Sequence, residues 1–115
     1  MRFLLLIYAD EGAEATMSEA EMGAILQKHM DFATEAAAAG MALSGERLQP
    51  TSTATTLRAR GGKVEVHDGP FTETKEALGG YYIIDVAGLD EAIAWARKLP
   101  QYGSIEIRPI WEMGA

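Results

Sequence analysis

Apolar residues open the chain as an unbroken run, Phe3-Leu4-Leu5-Leu6-Ile7-Tyr8, at odd and even positions alike. Such a run predicts a strand from Arg2 to Tyr8 whose two faces are both covered. The period then changes. Met22, Ile25, Leu26, His29, Phe32, Ala33 and Ala36 recur at three- and four-residue steps, which is one stripe of an amphipathic helix. Ser18 stands at capping-box spacing from Glu21 and starts that helix. It runs to about Ala39, and Gly40 ends it in the left-handed conformation glycine tolerates. Glu19, Gln27, Lys28, Asp31, Thr34 and Glu35 fall toward water.

Beyond Gly40, Met41 to Leu48 reads as a short strand interrupted by Gly45, and Pro50 begins a polar connection. Thr55 to Arg60 and Lys63 to His67 flank Gly61-Gly62, a hairpin signal. Tyr81 to Val86 is a second strand apolar on both faces. Asp90 caps a second helix with Leu89, Ala92, Ile93, Ala96 and Leu99 inward. Arg97 and Lys98 favour the negative end of its dipole, and Pro100 closes it. Ser104 to Ile110 alternates, with Ile105 and Ile107 opposite Glu106 and Arg108. Strand-helix-strand, hairpin, strand-helix-strand predicts an α+β fold of ferredoxin-like type with both helices on one sheet face. Leu4, Leu6 and Tyr8 make the other face apolar too. A second copy is the simplest cover, so a homodimer is expected.

The chain of 115 residues suits one domain, residues 1–115, with a single core. Ten Lys+Arg against seventeen Asp+Glu give a formal net charge of −7. That balance repels phosphate backbones, and no basic stripe offsets it, so nucleic acid is not an expected partner. The absence of cysteine excludes disulfides, thiolate catalysis and zinc-thiolate sites and fits a reducing cytoplasm. The N-terminal apolar run is too short to span a membrane, and Asp10 and Glu11 follow it at once, unlike a signal peptide.

Candidate chemistry gathers around Asp68-Gly69-Pro70-Phe71, continued by Lys75-Glu76 and Gly79-Gly80-Tyr81-Tyr82. Gly69 precedes proline and is expected in extended geometry; Pro70 fixes its own φ, Asp68 is placed to form an Asx-turn, and Phe71 is a buried-type aromatic. With Gly45-Glu46-Arg47-Leu48-Gln49-Pro50 and Tyr102-Gly103-Ser104-Ile105-Glu106-Ile107-Arg108-Pro109, these segments resemble the YciI-like (YCII-related) family, in its DGPF branch. The resemblance implies a dimeric α+β barrel, here with an added β-hairpin. It also implies a suspected enzyme in which a first-helix histidine meets an aspartate in a cleft. Some DGPF relatives are encoded beside sigma factors of the extracytoplasmic-function type, which implies a regulatory link. Carried across, the histidine is His29 and the chosen aspartate is Asp68. Where YciI-like proteins carry Asp-Pro-Phe near the last helix, this chain reads Leu99-Pro100-Gln101.

His29 sits inside an apolar stripe, where an unpartnered polar group would cost about 2–7 kcal/mol, so a partner is required. It is either a core histidine bonded to a carbonyl or a cleft histidine doing general acid–base work on a small metabolite. Asp68 either orients that imidazole or simply forms the turn. Lys75, Glu76 and Arg108 are candidate substrate contacts, against a solvated pair and a salt bridge of Arg108 with Glu106. Glu46 and Arg47 either face the cleft or flank a strand, and Tyr8, Tyr81 and Tyr82 read as core or interface residues. A metal site from His29, His67 and Asp68 is not expected, because His67 and Asp68 point to opposite strand faces. No cofactor is expected either: Gly61-Gly62 and Gly79-Gly80 lack the strand-Gly-helix context of a nucleotide loop. The alternative to an enzyme is a non-catalytic ligand-binding or regulatory module.

Overall fold

A computed structural model describes residues 1–113. The apolar start forms β1 (Arg2–Ala9), followed by a short helix α1 (Glu11–Ala15) and the long helix α2 (Glu19–Ala38). Next come β2 (Leu43–Arg47), a 3-10 turn at Thr51–Thr53, β3 (Thr55–Arg60) and β4 (Lys63–Asp68). The chain finishes with β5 (Ala77–Asp85), α3 (Leu89–Ala96) and β6 (Ser104–Pro109). This is a mixed α+β architecture of antiparallel sheets. The main sheet runs β2-β5-β1-β6 and the hairpin β3-β4 is a separate ribbon. Every neighbouring pair is antiparallel. Thus β1 runs parallel to β2 with β5 between them, and β5 parallel to β6 with β1 between them.

Strand alternation sorts the side chains. Phe3, Leu5 and Ile84 point to the helix face and pack with Phe32 of α2 and with Ala92, Ala96 and Leu99 on and after α3. These residues are almost fully buried. On the opposite face lie Leu4, Leu6, Tyr8, Tyr81 and Ile83, each only partly buried. Both helices contribute to the single core, so neither covers that second face.

The cap at Ser18 forms as the spacing predicts: its hydroxyl oxygen accepts from the Glu21 amide at 3.1 Å. Gly40 follows α2 with φ of 69°. The Gly61-Gly62 turn joins β3 to β4 with both residues at positive φ.

Other expectations need correction. α1 has no apolar stripe; its start comes from Asp10, whose carboxylate accepts from the Ala13 amide at 3.2 Å. α3 is preceded by Gly88, and Asp90 lies within its first turn. β5 begins at Ala77 rather than Tyr81: Gly80 pairs with β1 and β2, and Gly79 sits at the register shift between Ile7 and Tyr8, its carbonyl accepting from the Leu48 amide at 2.8 Å. Leu26, Ala33 and Leu89 are exposed, whereas Trp95 packs on the core. Gly69 is not extended but has φ of 106°, which frees its amide to donate to the Ala54 carbonyl at 2.7 Å. Phe71 is exposed, with the Arg58 guanidinium 5.3 Å from its ring centroid.

Candidate functional site

A cavity of about 300 Å³ opens between α2, the strands and α1, at the lower end of the size range of small-molecule sites. Met22, Ile25, Leu26 and His29 form its helical wall; they recur at the spacing that places residues on one helix face. Its floor is nearly bare backbone, supplied by Gly45, Gly79 and Gly80. Arg47, Glu14 and Tyr102 also line it. α1 is tied down by Glu11, whose carboxylate accepts from the amide and hydroxyl of Thr51 at 2.8 and 2.7 Å.

His29 Nδ1 lies 2.8 Å from the Tyr82 hydroxyl. The phenol ring is held from two sides. Phe32 packs against it with ring centroids 4.9 Å apart, and Phe32 meets Trp95 edge-on at 5.8 Å. Across the strand pair, Tyr82 faces Gly45. A Cβ at position 45 would lie 2.6 Å from Tyr82 Cδ1 and 2.4 Å from the Tyr81 carbonyl oxygen, so the ring fits only because that residue has no side chain.

Burial lowers the affinity of His29 for a proton, and the positive charge of Arg47 lowers it further. The imidazole therefore titrates below its ordinary value and is neutral at pH 7. Burial raises the Tyr82 phenol, which stays protonated. A neutral base and a neutral acid thus share one hydrogen bond beside a small cavity. When the phenol donates to Nδ1, Nε2 carries the ring proton; when Nδ1–H donates to the phenol oxygen, Nε2 is the free base. Proton transfer is within this pair's chemistry. Tyr102 is raised by burial and by Glu14, with Arg47 opposing.

The sequence-predicted residues fall in different places. His29 enters the cavity. Asp68 does not meet it: it ends β4, pairs with Thr55 across the ribbon and is exposed. The partner of His29 is the Tyr82 phenol, not the Asp68 carboxylate. The Asp68 residue is absent from the cavity lining, since β4 pairs only with β3 and stands outside the main sheet. Lys75 and Glu76 lie exposed in the loop before β5, away from the cavity. Arg108 is exposed on the uncovered face and sits 3.7 Å from Glu106. His67 bonds Glu65 at 3.1 Å on the ribbon. Among the described residues no three His, Asp or Glu side chains are gathered as a metal site would need. A second recess, about 380 Å³ and more open, lies beside the proline corner and is lined by Thr51, Gly69, Pro70, Glu73 and neighbours. It holds no acid–base pair.

Two cavity residues escaped sequence reasoning. Tyr82 looked like core, although its alternation with Ile84 was enough to put it on the helix face. Arg47 was left between two readings, and its place two residues after Gly45 decides for the cavity side.

The sequence matches the YCII-related domain over residues 1–114. The chain belongs to the YCII-related family. A relative of this YCII-related chain, an uncharacterized protein from Rhizobium meliloti (strain 1021), is 40% identical over 114 residues, covering 96% of this chain and 92% of its own length. Among the described residues no helix is long and apolar enough to cross a membrane.

Proposed function

We propose that this YCII-related protein is a small-molecule enzyme that moves protons on a bound metabolite, with the imidazole of His29 as base and the Tyr82 hydroxyl as its acid partner. The single observation carrying this reading is the 2.8 Å contact between two neutral, oppositely tuned groups beside a cavity. A proton leaves the substrate for Nε2, and the imidazolium so formed donates from Nδ1 to the phenol oxygen. The phenol then presents its own proton to a developing oxyanion. Each step keeps the pair's total charge in balance with the substrate's.

The working unit in this proposal is a homodimer of single domains, 1–115 in each copy. The strand order β2-β5-β1-β6 supports a ferredoxin-like arrangement, and two such sheets meeting through their uncovered faces would make the dimeric barrel implied by the sequence resemblance. The partly buried Leu4, Leu6 and Ile83 support that face as the contact.

Deuterium wash-in tests the chemistry. The protein is incubated in heavy water with a pool of small carbonyl and carboxyl compounds, and loss of carbon-bound proton signals is followed by NMR. Wild type is expected to exchange at a carbon next to a carbonyl. His29→Gln should slow it about 100-fold or more and Tyr82→Phe at least about tenfold, the usual worth of positioned acid–base groups. Exchange that survives His29→Gln, or binding with no exchange by wild type, contradicts the reading.

A further inference from the structure

Resting on the proton-transfer reading for what reacts, we infer that the ligand class of this cavity is an organic monocarboxylate with an apolar body, its carboxylate held by Arg47.

Arg47 is the one cationic side chain among the cavity's lining residues. It follows Leu43 and Gly45 at two-residue steps on β2, and Leu43 packs on the core, so all three share the helix face. Glu46 also lines the cavity, but along β2 it alternates to the other strand face, opposite Tyr81. Several other basic groups in the fold are engaged. Arg2 holds Glu112, Lys98 holds Glu35 and Arg108 lies near Glu106. Among the described residues the Arg47 guanidinium makes no hydrogen bond or ion pair, although Glu14 lines the same cavity. Arg47 is itself exposed at the cavity edge, and its guanidinium, with five N–H donors that have no acceptor of their own, suits a carboxylate by two parallel bonds. The field of that cation already reaches two groups of the site, His29 and Tyr102.

The rest of the lining limits the ligand further. Ile7, Met22, Ile25 and Leu26 offer hydrocarbon rather than hydrogen-bonding partners. Glu14 disfavours a second carboxylate at the rim by like-charge repulsion. The volume of about 300 Å³ suits a molecule of the size of benzoate or somewhat larger. A carboxylate on Arg47 leaves the apolar body and any attached carbonyl directed toward the imidazole and phenol.

The probes are benzoate and its uncharged counterpart benzamide, with affinities read from amide shift changes in NMR titrations. Wild type is expected to bind benzoate about tenfold or more tightly than benzamide, the usual worth of a charged hydrogen bond. Arg47→Gln should abolish the preference, and Arg47→Lys should restore part of it. His29→Gln should keep it. Equal affinities for the two probes in wild type, or benzoate affinity untouched by Arg47→Gln, overturn the inference. A retained benzoate preference without proton exchange would sink the proposed chemistry and leave this inference standing; exchange with no preference for the anion would do the reverse. If Arg47→Gln fails to fold, the wild-type comparison and Arg47→Lys still decide.

Discussion

A histidine on an apolar helical stripe was readable at residue level; the identity of its partner was not. The stripe spacing that puts His29 beside Ile25 and Phe32 says only that the ring points inward. The partner comes from β5, 53 positions along the chain, and tyrosine at a strand position looks the same whether it packs or reacts. Asp68 was the acid that the family resemblance carried across, but its strand lies outside the main sheet. The lowered proton affinity of His29 also bears on stability. The unfolded imidazole titrates near 6.5, and the folded one lower. Below about pH 6.5 the unfolded state therefore binds more protons, and stability falls as pH falls toward the folded value. The contribution is fully present above the unfolded value. Urea unfolding at pH 7.5 and 5.5 is expected to show a smaller acid-induced loss for His29→Gln than for wild type. An equal or larger loss in the variant would show that the folded ring does not resist protonation.

Elements were legible wherever a local signal specified them. The Ser18 cap, the Gly40 stop and the Gly61-Gly62 turn each depend on a few adjacent residues, and each formed. The start of β5 was missed because glycines weaken a strand signal, yet here the missing side chains are needed by neighbours. Gly45 shows this most clearly. Gly45→Ala brings a methyl group against the Tyr81 carbonyl and the Tyr82 ring, and overpacking of this kind costs about 1–3 kcal/mol. It should also slow proton exchange by displacing the phenol. Gly79→Ala is the comparison, since its nearest foreign atom is the Ile7 carbonyl oxygen at 3.9 Å. It should unfold within about 0.5 kcal/mol of wild type. Equal denaturation midpoints for the two variants would refute the close-fit account of Tyr82. The start of α1 depended on a lone Asp10 cap, too weak a mark to read in advance.

For the molecule as a whole, shape argues for a partner. The radius of gyration is 16.3 Å, against about 13 Å for a compact chain of this length. The accessible surface is 8099 Å², above the roughly 6,100 Å² expected for a folded monomer of this mass. The excess has visible sources. The ribbon β3-β4 is exposed except at the partly buried Thr56 and Arg58, and Leu57, Val64 and Val66 on one of its faces are each about two-thirds accessible. An isolated two-stranded hairpin is marginal in water. Sedimentation equilibrium is expected to give about twice the chain mass of 12.4 kDa, and Leu6→Lys with Ile83→Lys, on the uncovered sheet face, should weaken the dimer. A single-chain mass at micromolar concentration would contradict the barrel.

Proton movement by a neutral imidazole paired with a phenol in the α2 cavity is read out by the pH profile of kcat/KM for deuterium wash-in. Expected are an acid limb with its midpoint below pH 6.5, a rate undiminished at pH 7, and loss of about 100-fold with disappearance of that limb in His29→Gln. A limb centred above pH 6.5, or one that persists in His29→Gln, would contradict it.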